Sequence, residues 1–80
     1  TMTNNQHPSL TIGIYRHYKG NLYQVLHLAT HSETAEILVV YRALYGEYGV
    51  WVRPLAMFSE TVTIDGVTQP RFALVQALAS

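Results

Sequence analysis

His17, His27 and His31 are the residues of this 80-residue chain best suited to acid–base or metal chemistry. A metal centre needs three or four donors in matched geometry. His27 and His31 are four apart, a spacing that aligns them on a helix. On a strand they share a face but stand ~13 Å apart, at ~3.3 Å per residue. One ion cannot bridge that gap. Structural or hydrogen-bonding histidines are therefore expected, with no metal and no cofactor.

His31-Ser32-Glu33 contains the residue types of a hydrolytic triad. Neighbours on an extended segment point to opposite sides, however, and triad members are brought together by the fold. There is no G-x-S-x-G nucleophile elbow. Ser32 and Thr34 read as turn residues. Glu33, Glu36, Glu47 and Glu60 are scattered, and no glycosidase-like pair can be assigned. The glycines at 13, 20, 46, 49 and 66 form no phosphate-cradling motif. No catalytic residue is assigned. His17, His31 and Glu33 are the acid–base groups that an enzymatic reading would have to use.

Tyrosine and arginine offer a different chemistry. Tyr15, Tyr18, Tyr23, Tyr41, Tyr45, Tyr48 and Trp51 are many aromatic residues for so short a chain, and Arg16, Arg42, Arg53 and Arg71 accompany them. Such a set can stack on a ligand or hold a carboxylate. It can equally fill a core, which is the simpler reading for Trp51. The candidate binding surface comprises Tyr15, His17, His31, Glu33, Tyr41, Arg42, Trp51, Arg53 and Arg71. Within it, Arg53 is placed to pair with Glu33 or Glu60 and tie a turn to the body of the domain.

The elements that must position these residues are short and β-prone. Runs at Ile12–Tyr18, Leu22–Thr30, Glu36–Tyr45, Val50–Arg53, Thr61–Ile64 and Arg71–Val75 alternate with turn residues. Alternation breaks at Val25-Leu26, which predicts a bulge or burial on both faces. Asp65-Gly66 is the strongest hairpin signal. Leu55–Phe58, following Pro54, suits a single 3₁₀ turn. Residues 36–45 are ambiguous. Ile37, Val40, Tyr41, Leu44 and Tyr45 follow helical spacing, with Ser32 and Gly46 as caps. Against a helix, Ile37, Val39 and Val40 are β-branched, and apolar Leu38 and Val39 thin the polar face. A central strand buried on both faces is the preferred reading. An all-β small barrel of five to six strands follows, because closure removes exposed edges. The domain is placed at 11–76, between a polar N-terminal tail (1–10) without a signal peptide's apolar core and a short C-terminal tail (77–80).

The composition sets outer bounds. Hydrophobic residues make up 49% of the chain and charged residues 12%, a balance that folds into a core. With no cysteine, disulfides, thiolate zinc sites and cysteine nucleophiles are excluded. That also suits a reducing cytoplasm. Five basic residues balance five acidic ones, so bulk charge indicates neither nucleic acid nor a membrane surface as partner.

Several stretches together resemble a known family. They are Gly13-Ile14-Tyr15-Arg16-His17-Tyr18-Lys19-Gly20, Tyr23-Gln24-Val25, His31-Ser32-Glu33-Thr34, Val39-Val40-Tyr41, Leu44-Tyr45-Gly46, Trp51-Val52-Arg53-Pro54, Met57-Phe58 and Arg71-Phe72. In this order they resemble a small bacterial domain-of-unknown-function family, number sixteen fifty-three. The resemblance spans roughly residues 12–74. It implies a small barrel of Src-homology-three type and supports the strand reading of residues 36–45. It transfers no catalytic residue.

Three functions are therefore carried forward. The first is a non-catalytic interaction module for a peptide, a partner protein or a small anion, working as a monomer or weak homodimer. The second is a nucleic-acid binder that relies on aromatic stacking and local arginine. The third is a small enzyme using His17, His31 and Glu33.

Overall fold

Turn chemistry and alternation account for most of the element boundaries in the computed structural model, which describes residues 9–78. The elements are β1 (Gly13–His17), β2 (Leu22–Thr30), β3 (Ile37–Ala43), β4 (Val50–Pro54), α1 (Leu55–Phe58), β5 (Thr61–Ile64), β6 (Val67–Pro70) and β7 (Phe72–Ala77). Gly20, at φ +111°, lets the chain reverse between β1 and β2. The His17 amide donates to the Asn21 carbonyl at 2.8 Å and closes that reversal. Asp65 and Gly66 both take positive φ (52° and 78°), the geometry of a type I′ hairpin turn between β5 and β6.

Five strands form one antiparallel sheet in the order β4-β3-β2-β1-β7, and β5 and β6 form a separate hairpin. The expected bulge in β2 is present: its register against β3 shifts between Val25 and His27. Residues 37–43 are a strand, and the helical alternative is overturned. β3 is paired along both edges, to β2 and to β4. Only one of its faces is fully buried, through Val39, Tyr41 and Ala43; Leu38, Val40 and Arg42 on the other are half-buried. The 3₁₀ turn expected after Pro54 is one turn of α-helix, in which the Ser59 amide donates to the Leu55 carbonyl at 3.0 Å. β6 was not anticipated, because Val67-Thr68-Gln69-Pro70 has no apolar alternation; its strand character comes from pairing with β5.

The core lies on the inner face of the sheet under α1. Tyr15, Val25, Val39, Tyr41, Phe58 and Phe72 form it, and Leu10, Ile12, Tyr23, Leu28 and Leu55 pack around them. Phe58 stacks on Phe72 with centroids 4.1 Å apart, and Tyr15 and Tyr41 meet Phe58 edge-on at 5.5 and 5.6 Å. Edge-on aromatic pairs of this kind add ~0.5–1.5 kcal/mol each beyond the area they bury.

β4 and β7 end the strand order and do not pair with each other. The sheet therefore keeps two free edges among the described residues, where closure had been expected. Of the two expected tails, residues 1–8 and 79–80 lie outside the described residues; Leu10 packs on the core and Ala77 is in β7. No helix among the described residues is long and apolar enough to cross a membrane.

Candidate functional site

Four strands bring cationic and hydroxyl groups to one end of the inner face. His17 ends β1 and Tyr23 is the second residue of β2. Tyr41 lies opposite Trp51 on the β3–β4 ladder, and Arg53 lies opposite Val39. Arg71 precedes Phe72 at the start of β7. Alternation turns His17, Tyr23, Tyr41 and Arg53 toward the core side, and Arg71 joins them from the bend that precedes β7.

Arg53 is the centre of the group. Its Nε donates to the Tyr41 hydroxyl at 3.5 Å, and its guanidinium carbon lies 6.0 Å from the Phe72 ring centroid. Cation–π attraction at that distance contributes ~0.5–1 kcal/mol. Among the described residues Arg53 has no carboxylate within ion-pair distance. The expected pairing with Glu33 or Glu60 is not made, because Glu60 is taken by Arg71, whose Nη2 donates to its Oε1 at 3.4 Å. That exposed pair contributes little, ~0–1 kcal/mol. The Arg71 Nε is buried and has no acceptor among the described residues.

His17 completes the cationic side. Its Nδ1 accepts the Lys19 backbone N–H at 3.1 Å, so the neutral ring carries its proton on Nε2 and presents a donor there. Burial lowers its pKa, and Arg71, Lys19 and Arg53 lower it further. The ring is packed between Phe72 at 4.9 Å and Tyr23 at 6.3 Å.

Tyrosines supply the rest. The Tyr23 and Tyr45 hydroxyls are 2.7 Å apart. The Tyr23 hydroxyl is pushed up to about 12, by burial first and then by its bond to Tyr45 and the proximity of Tyr45 and Tyr41, against a lowering pull from Arg53. It stays protonated at neutral pH and can donate. The group thus offers several N–H and O–H donors, two guanidinium groups and one carboxylate: an arrangement suited to an anion and unsuited to a cation.

Other candidates lie elsewhere. Tyr15 is buried in the core and donates to the Thr11 carbonyl at 2.6 Å. Arg42 is on the opposite face of β3, level with Gln24 and Val50. Trp51 is on the inner face but 61% exposed, against the simpler expectation that it fills the core. His31 and Glu33 belong to the β2–β3 turn, where His31 Nδ1 accepts the backbone N–H groups of Glu33 at 3.1 Å and Thr34 at 3.3 Å. His17 and His31 cap opposite ends of the nine-residue β2, ~30 Å apart at ~3.3 Å per residue. The acid–base set of the enzymatic reading is therefore not assembled.

Tyr23, Tyr45 and Phe72 join the group without having been singled out as site residues. Tyr23 and Tyr45 stood out only as members of a tyrosine-rich set, and no spacing links either to Arg53. A cavity of about 340 Å³ lined by Glu36, Ile37, Leu55, Ala56 and Ser59 opens beside α1. Its lining contains a carboxylate and no cation, and it shares no residue with the arginine group.

Among solved structures, the chain is similar to the crystal structure of a DUF1653 protein from Bordetella bronchiseptica. Identity is 42%, the match covers 89% of this chain and 94% of that one, and the TM-score is 0.78. No curated protein matches. The family model described as "Protein of unknown function (DUF1653)" matches residues 13–74, so the chain belongs to that family.

Proposed function

We propose that this chain is a non-catalytic binding module that receives the anionic group of a peptide, partner protein or small molecule between Arg53, Arg71 and His17. The observation that carries the reading is Arg53: a guanidinium held over an aromatic floor by Tyr41 and Phe72, with no carboxylate partner among the described residues. A half-buried cation without a counter-ion is costly unless something neutralises it. The strand order supports treating the domain as an opened small barrel of Src-homology-three type. Four strands run in sequence across the sheet, and after a short helix the last strand returns beside β1.

Titration with acetate, followed by NMR at the Arg53 Nε–Hε and the His17 ring, tests the proposal. Saturable shifts are expected at both, lost in Arg53→Ala and kept in Arg16→Ala, whose residue is exposed on the other face. Absence of saturable shifts in the parent protein would remove the reading.

A second reading is a binder of single-stranded nucleic acid. Tyr45, Tyr48 and Trp51 are 44%, 56% and 61% exposed near the same end, available for base stacking. Its signature is binding to an oligo-dT strand that weakens steeply with salt. Salt-insensitive or absent binding to that strand would discard it.

A further inference from the structure

β4 is a free edge among the described residues, and its ladder geometry says which backbone groups are unused. The Ala43 amide donates to the Gly49 carbonyl at 2.9 Å, so Ala43 and Gly49 form a hydrogen-bonded pair. Such pairs recur every second residue of an antiparallel ladder. Stepping along the observed register makes Tyr41–Trp51 and Val39–Arg53 the next bonded pairs. Val50 and Val52 fall between them, so their N–H and C=O groups point away from β3. Neither has any other backbone partner among the described residues. Pro54 has no N–H and ends this row.

The edge is open and apolar. Val50, Trp51 and Val52 are 49%, 61% and 60% exposed. Native sheets commonly protect such an edge with lysine, an internal proline or a bulge. β4 has no bulge against β3, and its only proline closes it. The other edge, β7, carries a register shift against β1, which twists it away from pairing.

We infer that β4 binds an extended peptide by antiparallel strand addition, with an acidic side chain of the peptide opposite Arg53. The inference rests on the anion-binding reading above and names its ligand class. Charge complementarity selects the occupant. A second copy bonded through both Val50 and Val52 about a two-fold axis would set Trp51 opposite Trp51 and Arg53 opposite Gly49, leaving each Arg53 without an anion. An acidic strand places a carboxylate opposite Arg53.

The register is determined by the unused groups. A peptide residue bonded to Val52 has its N-terminal neighbour opposite Arg53 and its C-terminal neighbour opposite Trp51. Both neighbours project to the inner face with those side chains. The recognised pattern is therefore acidic–any–apolar or aromatic, read from the peptide's N-terminus. Backbone bonds supply affinity, and the two inner-face side chains supply selection.

The probe is the peptide acetyl-Thr-Glu-Val-Tyr-Val-Thr-amide, titrated into the full chain. At saturation, amide hydrogen exchange at Val50 and Val52 is expected to slow at least 10-fold. Exchange at Trp51, already bonded to β3, is expected to stay the same. Changing the peptide's Glu to Gln weakens binding at least 5-fold. N-methylating the first Val, which faces Val52, weakens it at least 10-fold. Val52→Pro in the protein abolishes binding while leaving the β3–β4 ladder intact, because that amide is not used there. If the peptide fails to bind, or binds without protecting Val50 and Val52, strand addition is overturned. Acetate separates the two levels. Acetate shifts at Arg53 without edge protection remove only the strand addition, whereas loss of the acetate response removes the anion reading itself.

Discussion

The Nδ1 atom of His17 accepts the backbone N–H of Lys19 at 3.1 Å. One bond therefore ties the turn after β1 to the protonation state of a ring beside two arginines. A protonated ring has an N–H at that position and cannot accept, so protonation opposes both the turn and the surrounding charge.

This gives a pH dependence with a definite sign. Burial, then Arg71, Lys19 and Arg53, hold the folded-state pKa of His17 below its ordinary 6.5. The unfolded chain binds the proton more readily, so stability rises with pH through this window. The contribution is complete above the unfolded value and is lost as pH falls through the folded one. Denaturant melts of the parent and His17→Gln between pH 5 and 7.5 are expected to differ in slope, with the variant flatter.

The same ring links anion binding to protons. A bound anion near Nε2 favours the imidazolium that Arg53, Arg71 and Lys19 disfavour, so binding takes up a proton. Sulfate affinity is expected to rise several-fold between pH 7.5 and 5.5 in the parent. In His17→Gln the calorimetric affinity should stay level across that range.

Tyr45→Phe isolates one cause of the Tyr23 shift. With the hydroxyl 2.7 Å away removed, the Tyr23 pKa is expected to fall from about 12 toward the ordinary 10. It should stay above 10, because burial is the larger cause. A spectrophotometric titration of the tyrosines reads this directly, and an unchanged alkaline midpoint would show that the bond does not hold the proton.

Phe58 carries α1 onto the sheet. It is 1% exposed and in contact with the rings of Phe72, Tyr15 and Tyr41. Phe58→Ala is expected to cost ~3–5 kcal/mol. Against a total of ~5–15 kcal/mol for a small domain, that removes much of the margin. Phe58→Leu keeps most of the volume and costs ~1–2 kcal/mol. Urea midpoints of the two variants give the comparison.

His31 is replaceable by the right acceptor. Its Nδ1 serves two backbone N–H groups in the β2–β3 turn. His31→Ala leaves both without that acceptor and is expected to cost ~1 kcal/mol. Asparagine carries an oxygen at a similar place and favours such turns, so His31→Asn is expected to recover most of the loss. Equal thermal midpoints for the two variants would exclude the capping role.

Local features of this fold were legible in one dimension because local chemistry produces them. Asp65-Gly66 turns where positive φ is tolerated, broken alternation at Val25-Leu26 becomes a bulge, and Pro54 stops a strand. The family could also be read from its spaced motifs, because they keep their order along the chain. Other features needed neighbours. Residues 37–43 satisfy helical and strand patterns alike, and pairing with β2 and β4 on both sides decides between them. β6 has no apolar alternation of its own and exists because β5 pairs with it. The cluster around Arg53 was the least legible. The sequence supplies a histidine, two arginines and several tyrosines, and places His17, Arg53 and Arg71 far apart along the chain. They meet because β7 pairs beside β1 while β4 lies across the sheet, with α1 curving the chain back between them. Spacing along a chain reports only which side of its own strand a residue occupies. Strand order and register, which depend on long-range pairing, determine which of those sides come together.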